Sequence, residues 1–119
     1  MTLDANALVA MALNEPGVEN IAAALGADDN PRVPTTALAE AGILLAARGV
    51  VAPAIRLQII VDRLRLTVVP FTDDHWREAI KVYEAHSELG PSERPRFGRC
   101  LSAGVAAKLG ARLLTPESV

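Results

Sequence analysis

The chain has 119 residues, 12 lysines and arginines against 14 aspartates and glutamates, a formal charge of −2, and half of its residues apolar. That length makes one domain, residues 1–119, able to bury about two thirds of its unfolded surface without disulfides or structural metal. The single cysteine, Cys100, excludes a disulfide framework and a multi-cysteine zinc site, no apolar run can span a bilayer, and the charge lacks the clustered cations of a bulk nucleic-acid binder. The expectation is a cytoplasmic globular protein with no membrane association, and any nucleic-acid contact is local.

Alanine makes up roughly a sixth of the chain and aromatic rings are scarce, so closely packed helices should dominate. A very short strand, Thr2 and Leu3, ends at Asp4, and helix formers run from Ala5 to Leu13. Pro16 suits the first turn of a second helix to about Ala27. The turn residues Asp28 to Pro31 precede a short strand, Arg32 to Pro34. Thr35 or Thr36 can cap a helix to Arg48 that places Leu38, Ala41 and Leu45 on one face, with Gly49 as its stop. Pro53 opens a helix to about Arg65, and the apolar, β-branched stretch Leu66 to Val69 predicts a buried strand. Thr72 caps a helix to about Leu89, with Asp73 and Asp74 favoured by the macrodipole in its first turn. Gly90 to Pro95 form a loop, Phe97 to Leu109 a last helix ended by Gly110, and Arg112 to Leu114 a final strand. Strands separated by helices predict an α/β sandwich with a mostly parallel sheet.

Ligands of such a sheet collect beyond the carboxyl ends of its strands. Asp4 follows the first strand, Glu40 sits in the first turns of the helix after the second, and Glu117 follows the last, so all three can converge on one end. Carboxylates of that kind are what Mg²⁺ or Mn²⁺ accepts in phosphodiester hydrolysis.

Four segments resemble the PIN-domain ribonucleases, and among them the VapC-type toxins of bacterial toxin–antitoxin pairs. Met1 to Ala10 looks like the opening strand with its first catalytic aspartate, Asp4. Thr35 to Ala41 resembles the helix carrying the second acid, Glu40. Leu66 to Phe71 is similar to the third strand and its exit, and Phe97 to Ala103 through Thr115 to the stretch carrying the third and fourth acids. The resemblance implies a PIN-like three-layer α/β/α sandwich and a metal-dependent endoribonuclease acting on single-stranded RNA. It further implies a small VapB-like antitoxin and homodimerisation.

Two positions depart from the family. Where an aspartate follows the Phe-Gly pair in the family, this chain has Arg99, and the fourth acid is Glu117, one methylene longer. Asp4 and Glu40 therefore keep the family's metal-binding chemistry, with Glu117 as an imperfect third catalytic acid. Arg99 either pairs with Asp4 or Glu40 and stabilises a metal-free site, or swings outward and leaves a weakened metal site. A catalytically impaired binding module that sequesters antitoxin or RNA is the alternative to the enzyme.

Arg94, Arg96 and Arg99 put three cations within six residues, which can hold RNA phosphates, and Arg56 and Arg63 can extend the track. His75 and His86 are expected at the surface or at a cap, Trp76 and Tyr83 in one buried stripe, and Cys100 as a small core residue.

Overall fold

The computed structural model describes residues 1–118. Its elements are β1 (Thr2–Leu3), α1 (Ala5–Ala12), α2 (Val18–Gly26), β2 (Arg32–Pro34), α3 (Thr35–Ala47), α4 (Pro53–Arg63), β3 (Thr67–Val69), α5 (Trp76–Glu84), α6 (Phe97–Leu109) and β4 (Leu113–Leu114), closed by a 3₁₀ turn, Pro116–Ser118. The strands form one sheet in the order β3-β2-β1-β4 with every pair parallel. Parallel neighbours need crossovers, and the right-handed rule sends α1 to α4 over one face and α5 with α6 over the other. The result is the expected three-layer α/β/α sandwich.

Burial explains why so short a β1 is stable. It is central, and Thr2 and Leu3 are both fully buried between the helical layers. Leu8, Ile21, Leu45 and Leu114 join Leu3 and Val33 in the core. Each fully buried aliphatic side chain contributes about 1.5–3 kcal/mol, so this α1–α4 side carries most of the hydrophobic stabilisation. The α5–α6 layer buries only small side chains, Ala79, Cys100, Ser102, Val105 and Ala106.

Several boundaries differ from the sequence expectation. Val18 opens α2, two residues beyond Pro16, because Gly17 takes a left-handed φ of 89° as its N-cap. Neither threonine caps α3: Pro34 is at the N-cap, the Thr35 hydroxyl accepts the Phe71 N–H at 3.2 Å, and the Thr36 hydroxyl is buried without a partner. β3 is an edge strand, exposed at Thr67 and Val68, because nothing in an apolar run says which strand will lie at the sheet's edge.

The helix expected from Thr72 begins only at Trp76. The Thr72 N–H donates to Nδ1 of His75 at 2.9 Å and closes a turn first, and the chain leaves helix again after Glu84. His75 is buried in that turn, whereas Trp76 and Tyr83 are each 43% exposed, not buried. They flank Ala79, whose backbone lies against Gly104 of α6. Phe97–Leu109 is helical as expected, with Gly110 at a φ of 65° as its stop. No helix among the described residues is long and apolar enough to cross a membrane.

Candidate active site

Asp4 is placed by the sheet. It ends the central strand with extended backbone, its N–H donates to the Leu114 carbonyl at 3.0 Å, and its Oδ1 caps α1 by accepting the Ala5 N–H at 2.7 Å. Those constraints hold the carboxylate fully buried in the middle of the sheet's carboxyl edge, at the point where the strand order reverses direction. Glu40 reaches the same edge from the second turn of α3. Gly98, in the first turn of α6, makes room for it: a Cβ there would overlap the Glu40 carboxylate.

Two arginines lie among these acids. Arg96, the N-cap residue of α6, places Nη2 3.4 Å from Asp4 Oδ2 and Nη1 3.2 Å from Glu40 Oε2. One guanidinium therefore bridges both carboxylates. Arg99, one turn later on the same face, donates from Nε to Asp4 Oδ2 at 2.9 Å and lies 3.7 Å from Glu117 through Nη2. Charges alternate along the series Glu40, Arg96, Asp4, Arg99, Glu117.

The structure thus brings together Asp4, Glu40, Glu117, Arg96 and Arg99, but not Arg94. The Arg94 guanidinium donates to the Leu89 and Ser87 carbonyls, each at 2.8 Å, and to the Tyr83 hydroxyl at 3.1 Å, fastening the loop before α6. Glu117 is held by its own turn, in which the Thr115 N–H donates to Ser118 Oγ and that hydroxyl donates back to the Thr115 carbonyl. Its backbone N–H and the Thr115 hydroxyl, with Arg99 beside them, hold the Glu117 carboxyl below the usual range. Cys100 is buried, as expected, and desolvation pushes its thiol up, away from nucleophilic character.

Sequence reasoning missed the bridge from Arg96 to Glu40 and the fit of Glu40 against Gly98. The i, i+3 spacing of Arg96 and Arg99 is the signal that could have found the first.

Burial raises the Glu40 carboxyl above its ordinary range. Arg96 and Arg99 pull it back only in part, and Asp4 adds to the rise. A carboxyl whose folded pKa is raised opposes folding once it is ionised. That penalty is absent below the unfolded pKa and complete above the folded one. Glu40→Gln should therefore gain melting temperature relative to the parent chain as pH rises from about 4 to about 7. Thermal unfolding at both pH values measures this, and a difference independent of pH would contradict it.

In this arrangement the donors do not fit a divalent cation. Mg²⁺ needs free anionic oxygens at about 2.1 Å. Asp4 commits Oδ1 to the Ala5 N–H and Oδ2 to two guanidinium groups, and of the carboxylate oxygens among the described residues only Glu40 Oε1 is buried without a partner. Among the described residues no three acid, histidine or cysteine side chains gather in a group that could hold a metal ion.

The PIN domain profile matches residues 1–117, so the chain belongs to the PIN-domain family. Its fold is similar to that of VapC20 from Mycobacterium tuberculosis, a Sarcin-Ricin loop cleaving toxin. The TM-score is 0.70 at 15% identity, over 96% of this chain and 87% of that one. It is equally similar to VapBC2 from Rickettsia felis, solved bound to a DNA fragment from their promoter, with a TM-score of 0.70 at 17% identity, over 96% of this chain and 84% of that one. No curated protein matches the sequence significantly. Family and fold suggest a nuclease.

Proposed function

We propose that this chain is a VapC-like PIN protein that binds single-stranded RNA and a small VapB-like antitoxin, with its hydrolytic centre held shut by its own arginines. The observation that carries this is the unbroken series of ion pairs from Glu40 through Arg96, Asp4 and Arg99 to Glu117. Three carboxylates crowded together need a cation to offset their repulsion, and the guanidinium groups supply that charge here without offering a ligand. The likeness to VapC-type folds supports the RNA, the antitoxin and a second copy of the chain as partners. Arg94, Arg96 and Arg99 are the residues that would meet RNA.

A second reading, a Mg²⁺- or Mn²⁺-dependent endoribonuclease, is favoured by the unpartnered Oε1 of Glu40 and by the convergence of Asp4, Glu40 and Glu117 on one edge. In it Asp4 and Glu40 hold the metal, and Glu117 assists. Incubating the protein with single-stranded RNA and Mn²⁺ separates the two. A closed centre retains RNA on a filter while cutting it no faster than Asp4→Asn does. Mn²⁺-dependent cleavage that Asp4→Asn abolishes would establish the enzyme instead.

A further inference from the structure

Arg96 and Arg99 line a second space besides the acid centre. It is an open cavity of about 620 Å³, shared with Arg94, His86, Ser92 and Glu93. Three guanidinium groups face one acid there, and the chain has already ordered them. Arg94 is fixed by three hydrogen bonds and by the face of the Tyr83 ring, 5.6 Å from its centroid, while Arg96 and Arg99 are fixed by the carboxylates. Cations ordered in advance lose little side-chain entropy when a ligand arrives. His86 lines the cavity with its Nδ1 turned away to the Val82 carbonyl oxygen, 2.8 Å distant.

We infer that this cavity is a binding site for a phosphate group, and that phosphate competes with Asp4, Glu40 and Glu117 for Arg96 and Arg99. The inference deepens the RNA-binding reading: the shared chemistry is a phosphate group, and the two arms of the test separate an RNA phosphodiester from a free ion. A guanidinium has five N–H donors. Arg96 spends one on Asp4 and forms an ion pair with Glu40, and Arg99 spends one on Asp4 and lies 3.7 Å from Glu117. Both still have donors for the paired oxygens of a phosphate. The three acids outnumber the two shared arginines, so phosphate binds weakly. Neutralising one acid releases a guanidinium and strengthens the site. By linkage, phosphate in the cavity loosens the arginines from the acids to the same extent.

The test needs no metal. Anisotropy of a fluorescein-labelled single-stranded RNA is followed in EDTA, with inorganic pyrophosphate titrated calorimetrically in a second arm. Glu40→Gln should tighten binding about tenfold by freeing Arg96, whereas Glu93→Gln, which removes an acid of the same cavity that pairs with no arginine, should change it about twofold. Glu117→Gln, at a side chain 70% exposed and tolerant of change, should shift affinity in the same direction as Glu40→Gln and keeps the test open if that variant folds poorly. Adding Arg94→Ala should erase the gain. Equal gains from Glu40→Gln and Glu93→Gln, or a gain that survives Arg94→Ala, would overturn the exchange. RNA that binds without responding to Glu40→Gln would overturn it and leave the RNA-binding reading standing. The full pattern with pyrophosphate, together with no RNA binding, would establish the exchange with a free phosphate ion and remove that reading.

Discussion

Arg99→Asp should bind Mn²⁺ at least a hundredfold more tightly than the parent chain. A hundredfold corresponds to about 2.7 kcal/mol. The substitution changes the charge beside Asp4 by two units, and it removes the shortest bond to Asp4 Oδ2, at 2.9 Å. A charge-assisted hydrogen bond alone is worth about 1.5–3 kcal/mol, and one unit of charge at about 4 Å near a protein surface is worth about 4 kcal/mol before solvent screening. Arg99 is 30% exposed, so screening reduces the second figure without removing it. Arg96 still bridges Asp4 and Glu40 in this variant, so Arg96→Ala added to it should tighten the metal further. Arg99→Ala, which deletes a cation without adding a ligand, should gain less than Arg99→Asp. Isothermal titration with Mn²⁺ gives all four affinities. A parent chain that binds as tightly as Arg99→Asp would show that the arginines leave the acids at no cost, and the closed centre would be wrong. If Arg99→Asp also restores RNA cleavage, Asp4→Asn in that background should abolish it.

Asp4 could be found in the sequence because a single acid ends an apolar strand at the start of the chain, and the parallel-sheet rule then says which end of the sheet collects Glu40 and Glu117. Strand order was less accessible. Leu66 to Val69 has the same apolar character whether central or at an edge, and only the hydrogen-bonded order β3-β2-β1-β4 places it outside. Trp76 and Tyr83, seven apart, share a helix face, but the spacing does not give that face's direction. Ala79 turned inward, because α5 and α6 approach too closely for rings to pass between them. The positions of Arg94 and Arg96 depend on a loop without periodicity, where the bonds to the Leu89 and Ser87 carbonyls decide which arginine fastens the loop and which reaches the acids.

The same close approach gives the second large effect, in which helix propensity and packing predict opposite signs. Replacing a glycine inside a helix by alanine ordinarily stabilises a protein by about 0.5–1 kcal/mol, through the entropy of the unfolded chain. Gly42 in α3 meets that condition: a Cβ there would lie 3.5 Å from Leu57 Cδ1, an ordinary contact. Gly42→Ala should therefore raise the melting temperature. Gly104 in α6 does not meet it, because its Cβ would lie 2.7 Å from the backbone nitrogen of Ala79 and 2.9 Å from its Cα. Backbone cannot turn aside as a side chain can, so α5 must move as a unit. Overpacking of this kind costs about 1–3 kcal/mol, more than the propensity gain returns. The α5–α6 layer buries only small side chains, so the two helices approach closely along their contact. Gly104→Ala should lower the melting temperature by several degrees while Gly42→Ala raises it, both read by thermal unfolding monitored by circular dichroism. Movement of α5 would also carry Tyr83 away from Arg94, so Gly104→Ala should weaken RNA retention where Gly42→Ala leaves it unchanged. Stabilisation by both substitutions would mean that the helices separate freely, and that the loop bearing Arg94 and Arg96 is not braced by their contact.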